Sequence, residues 1–437
     1  MSRIATLSLV ALAAWTVWAT TPAGSDSRGS TTKRTAKKKT KKVVVRRAPV
    51  VSAAVRNAAL VEVNEAVDAP ETFDDGAALV PFFERLFRMK EEPSSVHVLH
   101  YGDSHTASDD LPNALRVLFQ ERFGDGGPGF SMPGRPFLGY RRYDVKSNCS
   151  LHWYTEGTPL RLGDGLHGMG GVSLTATRAG EYATVSTRGD DAELLFLQQP
   201  GGGSFDLFMD GILEGDFSTD GALGPASLVL PTTPPADGHT YLIRTRNNAP
   251  VRLLGTVIQN RTGVTWETMG INGAQASMIN RLDMNLMGAE VVKRDPAMIV
   301  LAFGTNEANS PHWDGTTYGE SLRQVIQRFR QIAPLATILL IGPPDSRIKA
   351  QGALAEVVEM QRAVAVEMHC AFWDWRARMG GPGAVKTWVT AGVGQGDYIH
   401  LTSTGYQLVG KALFKDLMGQ YERFLKVRNA SEHAEGQ

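Results

Sequence analysis

The first clear pattern of apolar and polar positions predicts a helix over residues 77–90. Its apolar side chains recur every three or four positions, at Leu79, Phe82, Phe83, Leu86 and Phe87. A continuous apolar run at 96–101 then predicts a buried strand, and a second helical period covers 109–123. We therefore expect folding to begin near Phe73 with a helix, a strand and a helix.

Strands and helices alternate again in the last third of the chain. The strands are predicted at 297–303, 337–341 and 371–375, and the helices at 318–332, 351–368 and 405–426. Near-continuous apolar strands joined by helices are typical of a parallel sheet that is covered on both faces. The pattern therefore predicts an α/β core made from residues 73–135 and 263–426.

The middle of the chain, residues 136–262, has no helical period. Short apolar runs alternate there with Gly, Asp and Asn turns, at 172–177, 182–188, 193–198, 204–210, 227–231, 240–245 and 251–259. Regularly spaced short strands of this kind predict a β-sandwich or jelly roll. Because α/β character resumes afterwards, we expect this β-domain to be inserted into the α/β core.

The N-terminal residues predict export. Residues 1–23 begin with Arg3, run apolar from Ile4 to Trp18 and end in small residues, which is the pattern of a secretory signal peptide. An uncleaved membrane anchor is the alternative, and it places the protein at the cell envelope instead of free in the periplasm. At the other end, residues 427–437 are expected to form a flexible tail.

Residues 24–72 are expected to form a disordered linker with a basic first half. Residues 24–47 contain ten Lys or Arg and one acid, while the whole chain has a formal net charge of zero, so the remainder is acidic. The basic arm is interpreted first as a solvated spacer, and second as a contact for anionic cell-wall polymer or lipid headgroups. The acidic remainder argues against a nucleic-acid-binding protein.

Two cysteines, Cys149 and Cys370, are too few for a disulfide scaffold. One bridge and two free thiols both remain open. No Cys or His pairs have zinc spacing, so the sequence predicts no metal ligands and no cofactor.

Two short segments contain the residues of a serine hydrolase. Ser104 directly follows the predicted strand 96–101, and Asp397 precedes His400 by three residues. A serine becomes a nucleophile when a base removes its proton, and the base needs a carboxylate to orient it. The chain supplies these groups in the order Ser, Asp, His.

Four ordered blocks resemble those of the SGNH (GDSL) hydrolase family. They are Gly102-Asp103-Ser104-His105, Gly270-Ile271-Asn272-Gly273-Ala274, Gly304-Thr305-Asn306-Glu307 and Asp397-Tyr398-Ile399-His400-Leu401-Thr402. The resemblance covers about 75–135 and 263–425. It implies a three-layer α/β/α sandwich with a parallel sheet, here interrupted by the inserted β-sandwich.

The resemblance also implies a role for each site residue. Ser104 resembles the nucleophile and one oxyanion donor through its backbone N–H, and Gly273 and Asn306 resemble the other two donors. His400 resembles the base and Asp397 the carboxylate that orients it. His105 and Glu307 depart from the frequent Leu and Asp, at positions without a known catalytic role in the family.

The predicted insert narrows the substrate. An exported SGNH enzyme with a β-domain between its first two blocks resembles the bacterial peptidoglycan O-acetylesterases, whose insert resembles a carbohydrate-binding module. The run from Phe123 to Phe130 is also similar to that group. The expected function is an exported serine esterase that removes O-acetyl groups from cell-wall glycan through an acyl-serine intermediate.

Three alternatives remain open at this stage. The same triad serves an O-acetyltransferase, or an esterase of another acetylated polysaccharide, and a non-catalytic glycan-binding protein is the alternative of another class. Trp153, Tyr154 and Tyr182 are candidates for stacking on sugars, although core packing is the simpler interpretation of each. β-Modules of this kind often bind structural calcium, and the sequence leaves this point and the oligomeric state open.

Overall fold

The computed structural model describes residues 51–70, 73–233, 238–348 and 351–435. The predicted signal peptide (1–23) and the basic residues of 24–47 lie outside these ranges. Among the described helices, none is long and apolar enough to cross a membrane.

The α-helices are, in chain order, α1 (Ala53–Asp68), α2 (Val80–Arg88), α3 (Ser104–Ala107), α4 (Asp110–Phe123), α5 (Met284–Arg294), α6 (Thr305–Ala308), α7 (Gly315–Ile332), α8 (Gln351–Glu367), α9 (Trp375–Arg378), α10 (Ala384–Ala391) and α11 (Ser403–Glu435). Two 3₁₀ helices cover Gly76–Leu79 and Ala276–Arg281.

The strands are, in chain order, β1 (Phe73–Asp74), β2 (Ser95–Gly102), β3 (Gly129–Ser131), β4 (Lys146–Cys149), β5 (Tyr154–Glu156), β6 (Ser173–Ala176), β7 (Tyr182–Thr187), β8 (Asp191–Gln198), β9 (Ser204–Met209), β10 (Ile212–Ser218), β11 (Gly224–Leu230), β12 (His239–Thr245), β13 (Val251–Gln259), β14 (Gly263–Gly270), β15 (Met298–Ala302), β16 (Thr337–Ile341) and β17 (Ala371–Trp373).

One sheet has the order β1-β17-β16-β15-β2-β14. The neighbours from β17 to β14 are parallel, as predicted, but β1 is antiparallel to β17, so the sheet is mixed. Gly102 is in register with both Gly270 and Ala302. The carboxyl ends of β14, β2 and β15 therefore meet at one edge of the sheet, where loops of α/β sheets collect functional groups.

Helices cover both faces of this sheet. Toward α2, α4 and α11 the strands bury Val98, Val300 and Leu339. Toward α5, α7 and α8 they bury the next residues along the same strands, Leu99, Leu301 and Leu340. Successive side chains of a strand point to opposite faces, so covering both faces requires the continuous apolar runs seen in the sequence.

Two antiparallel sheets form a β-rich region between α4 and β14. Their strand orders are β10-β9-β12-β7-β4 and β11-β8-β13-β6-β5. The sheets face each other, because Phe196 of one and Phe205 of the other lie 5.8 Å apart between ring centroids. β3 also pairs with β13, although it precedes the predicted boundary at residue 136. The apolar core of this region is continuous with the layer that contains α5, α7 and α8.

The segments that precede and follow the predicted α/β core contain more helix than expected. Residues 51–70 of the predicted disordered linker contain α1, which buries Ala59, Val63 and Val67 at four-residue spacing. Arg378 donates to the carbonyls at the end of this helix. The predicted flexible tail from residue 427 onward is also wrong up to residue 435, where α11 ends.

The two cysteines are free thiols, with Cys149 partly buried and Cys370 buried. Of the two alternatives that the sequence left open, the structure therefore favours the unpaired one.

Candidate active site

The first site segment is a tight turn between β2 and α3. Asp103 caps α3, because its Oδ1 accepts the N–H of His105 at 2.9 Å. The turn is packed closely, since a Cβ on Gly102 would lie 2.1 Å from Oγ1 of Thr106. A Cβ on Gly270 would lie 2.2 Å from the backbone nitrogen of Ala107. Glycines at the strand ends thus let the helix that begins at Ser104 lie directly on the sheet edge.

The second site segment is the loop between α10 and α11. One carboxylate oxygen of Asp397 accepts the backbone N–H groups of Ile399 (2.9 Å) and His400 (3.0 Å). The other oxygen lies 2.7 Å from Nδ1 of His400. Tyr398 takes a left-handed backbone conformation (φ 59°) that folds the loop back on itself. The three-residue spacing therefore lets the acid orient the histidine locally.

The structure brings Ser104, His400 and Asp397 into one hydrogen-bonded chain. Oγ of Ser104 lies 2.9 Å from Nε2 of His400. Because Asp397 accepts the proton on Nδ1, Nε2 is free to accept the serine proton. Burial by itself raises the pKa of Asp397, but hydrogen bonds from His400 and Ile399 outweigh it, so the pKa lies below its usual range. Asp397 is thus ionised at neutral pH.

The predicted oxyanion donors lie at the same sheet edge. Gly273 has φ +75°, a conformation that favours glycine, and the nearest side-chain atom to a Cβ there would be Cγ of Pro159, at 3.6 Å. The amide nitrogen of Asn306 donates to the carbonyl of Ala274 at 3.0 Å and to Oδ2 of Asp103 at 3.3 Å. Asn306 therefore bridges the second and first blocks.

Asp103 has a second function that sequence reasoning missed. The structure shows a contact that orients the Asn306 amide. Burial, together with the nearby Glu307 carboxyl, raises the pKa of Asp103 to about 8. Burial also raises the pKa of Glu307 to about 7, and Glu307 accepts the N–H of Ala276. Two buried carboxyls with raised pKa values thus lie next to the site.

His105 stands at a position without a known catalytic role in the family, yet its surroundings are specific. The ring is buried, and its centroid lies 5.2 Å from that of His400. Nδ1 lies 2.9 Å from the hydroxyl of Tyr406, and Trp375 packs edge-on against the ring. Burial, together with the charge of His400, lowers the pKa of His105 to about 3. Its position directly after Ser104 was the only signal in the sequence.

The aromatic candidates for sugar stacking differ in exposure. Trp153 is buried in the apolar core, so it is a packing residue. The ring of Tyr154 is covered by the guanidinium of Arg161 at 4.3 Å. Tyr182 is exposed on β7. Over the described ranges, no three His, Cys, Asp or Glu residues are grouped closely enough to hold a metal ion.

The sequence model of the GDSL-like lipase/acylhydrolase family matches residues 232–408, a range that includes Gly273, Asn306, Asp397 and His400. A solved peptidoglycan O-acetylesterase is 26% identical to the chain; the match covers 80% of this chain and 99% of that one, with a TM-score of 0.69. The chain therefore contains a domain of the GDSL-like lipase/acylhydrolase family. It is a serine esterase with the mixed α/β sheet of that family. Ser104 precedes the matched range because the β-rich region separates it from the other three blocks.

Other solved structures are more distant. A family two carbohydrate esterase from Clostridium thermocellum is 12% identical (63% of this chain, 98% of that one, TM-score 0.29). An acetylxylan esterase from Geobacillus stearothermophilus is 15% identical (37% of this chain, 72% of that one, TM-score 0.27). These similarities are too weak to inform the function. Among curated proteins, no significant match is found.

Proposed function

We propose that this esterase is exported and removes O-acetyl groups from cell-wall glycan, namely peptidoglycan, through an acyl-serine intermediate. The observation that carries the proposal is the hydrogen-bonded chain from Asp397 through His400 to Ser104, at 2.7 Å and 2.9 Å. These three hydrogen-bonded side chains lie at the carboxyl edge of the sheet, beside Gly273 and Asn306.

In the first step, Ser104 attacks the acetyl carbonyl carbon. The serine proton moves to Nε2 of His400 as the new C–O bond forms. Asp397 stays ionised and stabilises the imidazolium, consistent with the lowered pKa of its carboxyl. When the C–O bond to the sugar breaks, His400 returns the proton to the leaving sugar oxygen. The products are a free sugar hydroxyl and an acetyl-serine.

The negative charge on the carbonyl oxygen needs donors that are already in place. The proposed donors are the backbone N–H groups of Ser104 and Gly273 and the side-chain amide of Asn306. The two N–H groups of Asn306 donate to the carbonyl of Ala274 and to Oδ2 of Asp103, so the longer bond to Asp103, at 3.3 Å, is proposed to be exchanged for the bond to the oxyanion. A second attack, by water activated by His400, then releases acetate and regenerates Ser104.

The choice of substrate rests on similarity to one protein. The solved structure that is 26% identical, with a TM-score of 0.69, belongs to a peptidoglycan O-acetylesterase and is matched over almost its whole length. Peptidoglycan lies outside the cytoplasm, so this substrate agrees with the export predicted from residues 1–23. The β-rich region is proposed to hold the glycan strand beside the cleft.

Acetate release from O-acetylated peptidoglycan by the full-length protein tests the proposal. Ser104→Ala and acetylated xylan serve as controls. Release that requires Ser104 and favours peptidoglycan supports a cell-wall esterase, whereas a preference for xylan moves the substrate to another acetylated polysaccharide. Cleavage of a small acetyl ester without release from either polymer supports an acetyltransferase. No cleavage of any ester supports a glycan-binding protein.

A further inference from the structure

Two segments of the β-rich region lie next to the turn that contains Gly273. The carbonyl of Leu138 accepts the side-chain amide of Asn272 at 3.1 Å. Pro159 is the nearest side chain to the position that a Cβ on Gly273 would occupy. Thr155 of β5, shortly before Pro159, donates to the carbonyl of Pro136. We call residues 136–140 and 158–161 the cleft rim.

Each segment of the cleft rim presents a leucine to solvent. Leu138 is 97% exposed and Leu160 is 100% exposed. Single exposed leucines are common on protein surfaces and by themselves indicate nothing. These two differ because their segments contact the turn that contains one proposed oxyanion donor, Gly273.

Both leucines are held by ordered backbone. Residues 158–161 form a turn in which the N–H of Arg161 donates to the carbonyl of Thr158 at 3.0 Å. Arg161 also stacks on Tyr154 and pairs with Glu156 at 3.3 Å, which anchors the turn. A backbone segment that is already ordered loses little conformational freedom when a ligand covers its side chains.

The other segment of the cleft rim is anchored by a buried arginine. The guanidinium of Arg142 donates to the carbonyls of Ala107 (3.5 Å) and Thr268 (2.5 Å), next to the nucleophile turn and at the end of β14. Tyr140 stacks on the same guanidinium at 4.4 Å. The position of Leu138 is therefore coupled to the site itself.

We propose that Leu138 and Leu160 are specificity-determining residues that contact the methyl groups of an N-acetylated amino-sugar glycan. The inference rests on the function proposed above and deepens it. Peptidoglycan carries an N-acetyl methyl on each sugar and a lactyl methyl on alternate sugars, whereas xylan carries neither group. Apolar contacts at the cleft rim distinguish these polymers, because the two leucines can bury the N-acetyl and lactyl methyl groups of peptidoglycan and find no such groups on xylan.

The test compares a polymer with a small ester in the same variants. Leu138→Asn, Leu160→Asn and the double variant are assayed on O-acetylated peptidoglycan fragments and on p-nitrophenyl acetate. In the double variant, kcat/KM for the peptidoglycan fragments divided by kcat/KM for p-nitrophenyl acetate is expected to fall about tenfold. Leu335→Asn is the matched control, because Leu335 is 80% exposed and precedes β16 at the opposite edge of the sheet.

Three outcomes overturn the inference: an unchanged ratio in the double variant, an equal fall in Leu335→Asn, or an equal loss on acetylated xylan. Failure of the proposed function is separate from these. It appears as wild-type protein that does not release acetate from peptidoglycan although Ser104 is required for cleavage of p-nitrophenyl acetate.

A second inference concerns His105 and rests on different contacts. Its buried ring lies between Tyr406 of α11, at 2.9 Å from Nδ1, and His400, at 5.2 Å between ring centroids. Tyr406 also receives a backbone hydrogen bond from Leu401, the residue after His400. His105 thus links the nucleophile turn to the loop that contains the base, through both its ring face and its nitrogen.

We infer that His105 is a positioning residue that holds the His400 ring within hydrogen-bonding distance of Ser104. A leucine in this place fills the volume but cannot bond to the hydroxyl of Tyr406. Misplacement of a base by about 1 Å costs up to roughly a hundredfold in rate, so the effect belongs in kcat. Burial lowers the pKa of His105 to about 3, and the ring therefore stays neutral and does not repel the imidazolium of His400.

The test separates volume from hydrogen bonding. On p-nitrophenyl acetate, His105→Leu is expected to lower kcat about tenfold to a hundredfold with KM within about twofold. His105→Asn keeps a polar atom near the Nδ1 position and is expected to recover part of the loss, while Tyr406→Phe lowers kcat in the same direction. Full activity in His105→Leu, or no difference between its Leu and Asn variants, overturns the inference.

Discussion

The α/β core and the β-rich region use strands of similar length in different surroundings. Each residue of β15 is buried, because helices cover both faces of its sheet. In β11 burial alternates, because one face of its sheet meets the protein interior and the other meets solvent. Strand ends that are packed on both faces have little freedom to move. Ser104, Gly273 and Asn306 follow strands of the first kind, whereas the cleft rim comes from the second region.

The comparison assigns the chemistry to one region, and Ser104→Ala tests this most directly. We expect the activity of the variant on p-nitrophenyl acetate to fall at least about 10⁴-fold, since it lacks the hydroxyl that lies 2.9 Å from Nε2 of His400, and its thermal unfolding midpoint to stay the same. Ser204→Ala in β9 is the matched control in the β-rich region and is expected to stay active. Unfolding of the Ser104 variant, or a similar loss in the control, contradicts the division.

The histidine and the aspartate of the catalytic loop differ in what they do. His400→Ala removes the group that transfers protons and is expected to lower kcat about 10⁴-fold or more. Asp397→Asn keeps the hydrogen bonds of the loop in part and is expected to retain more activity than His400→Ala. Steady-state kinetics on a small acetyl ester measure the difference. A smaller loss of kcat in His400→Ala than in Asp397→Asn would contradict the proposed roles.

Because helices cover both faces of one sheet and solvent meets one face of the other, we expect core substitutions in the two sheets to differ in their cost in stability. Leu339→Ala in β16 leaves a cavity in a strand that is buried on both faces and is expected to cost about 2–5 kcal/mol in the free energy of unfolding. Leu228→Ala in the half-buried β11 is expected to cost about 1 kcal/mol or less. Urea denaturation of the two variants gives both values. Equal costs would mean that Leu228 is as well covered in the folded protein as Leu339.

A buried carboxyl joins the two regions and makes their contact sensitive to pH. Glu290 of α5 accepts the N–H of Met169 at 2.6 Å, and burial raises its pKa to about 7. The folded pKa exceeds that of an unfolded glutamate, so this stabilisation is present at low pH and is lost as the pH rises through about 7. The loss between pH 6 and pH 8 is about 1 kcal/mol per such group.

Glu290→Gln keeps an acceptor for Met169 and removes the titration. Its unfolding free energy is expected to depend less on pH between 6 and 8 than that of the wild type. A smaller slope remains, because Glu307 and Asp103 also have raised pKa values, of about 7 and about 8. Identical slopes for the variant and the wild type contradict the prediction.

The smallest effect is expected for the cysteines, one in each region. Because Cys149 and Cys370 are free, a thiol titration of the denatured protein without reductant should detect both. Cys149→Ser, in β4 of the β-rich region, is expected to change the unfolding free energy by less than about 0.5 kcal/mol. Detection of no free thiol would indicate a disulfide between the two regions.

Parts of the fold were predictable because their residues repeat a local period. β13 and β16 have the bounds read from the sequence, 251–259 and 337–341. β10 was missed because Ile212 and Leu213 are exposed and a bulge interrupts its pairing with β9, which blurs the alternation. α1 was missed because its Ala and Val content resembles that of a linker. Its apolar residues are buried by packing against α10 and α11, which lie far away in the sequence.

Short local motifs in the sequence predicted the proposed chemistry of the site. The Asp397–His400 pair forms within one loop, and the glycines at 102 and 270 mark places where backbone must lie close to backbone, so local residues carry that information. Only the tertiary structure decided which groups surround them. Asp103 meets Asn306, His105 meets His400, and Leu138 meets Asn272 through contacts between residues far apart in the chain. Such contacts depend on how the sheets and helices pack on one another, and they cannot be predicted from the spacing of apolar residues along the chain.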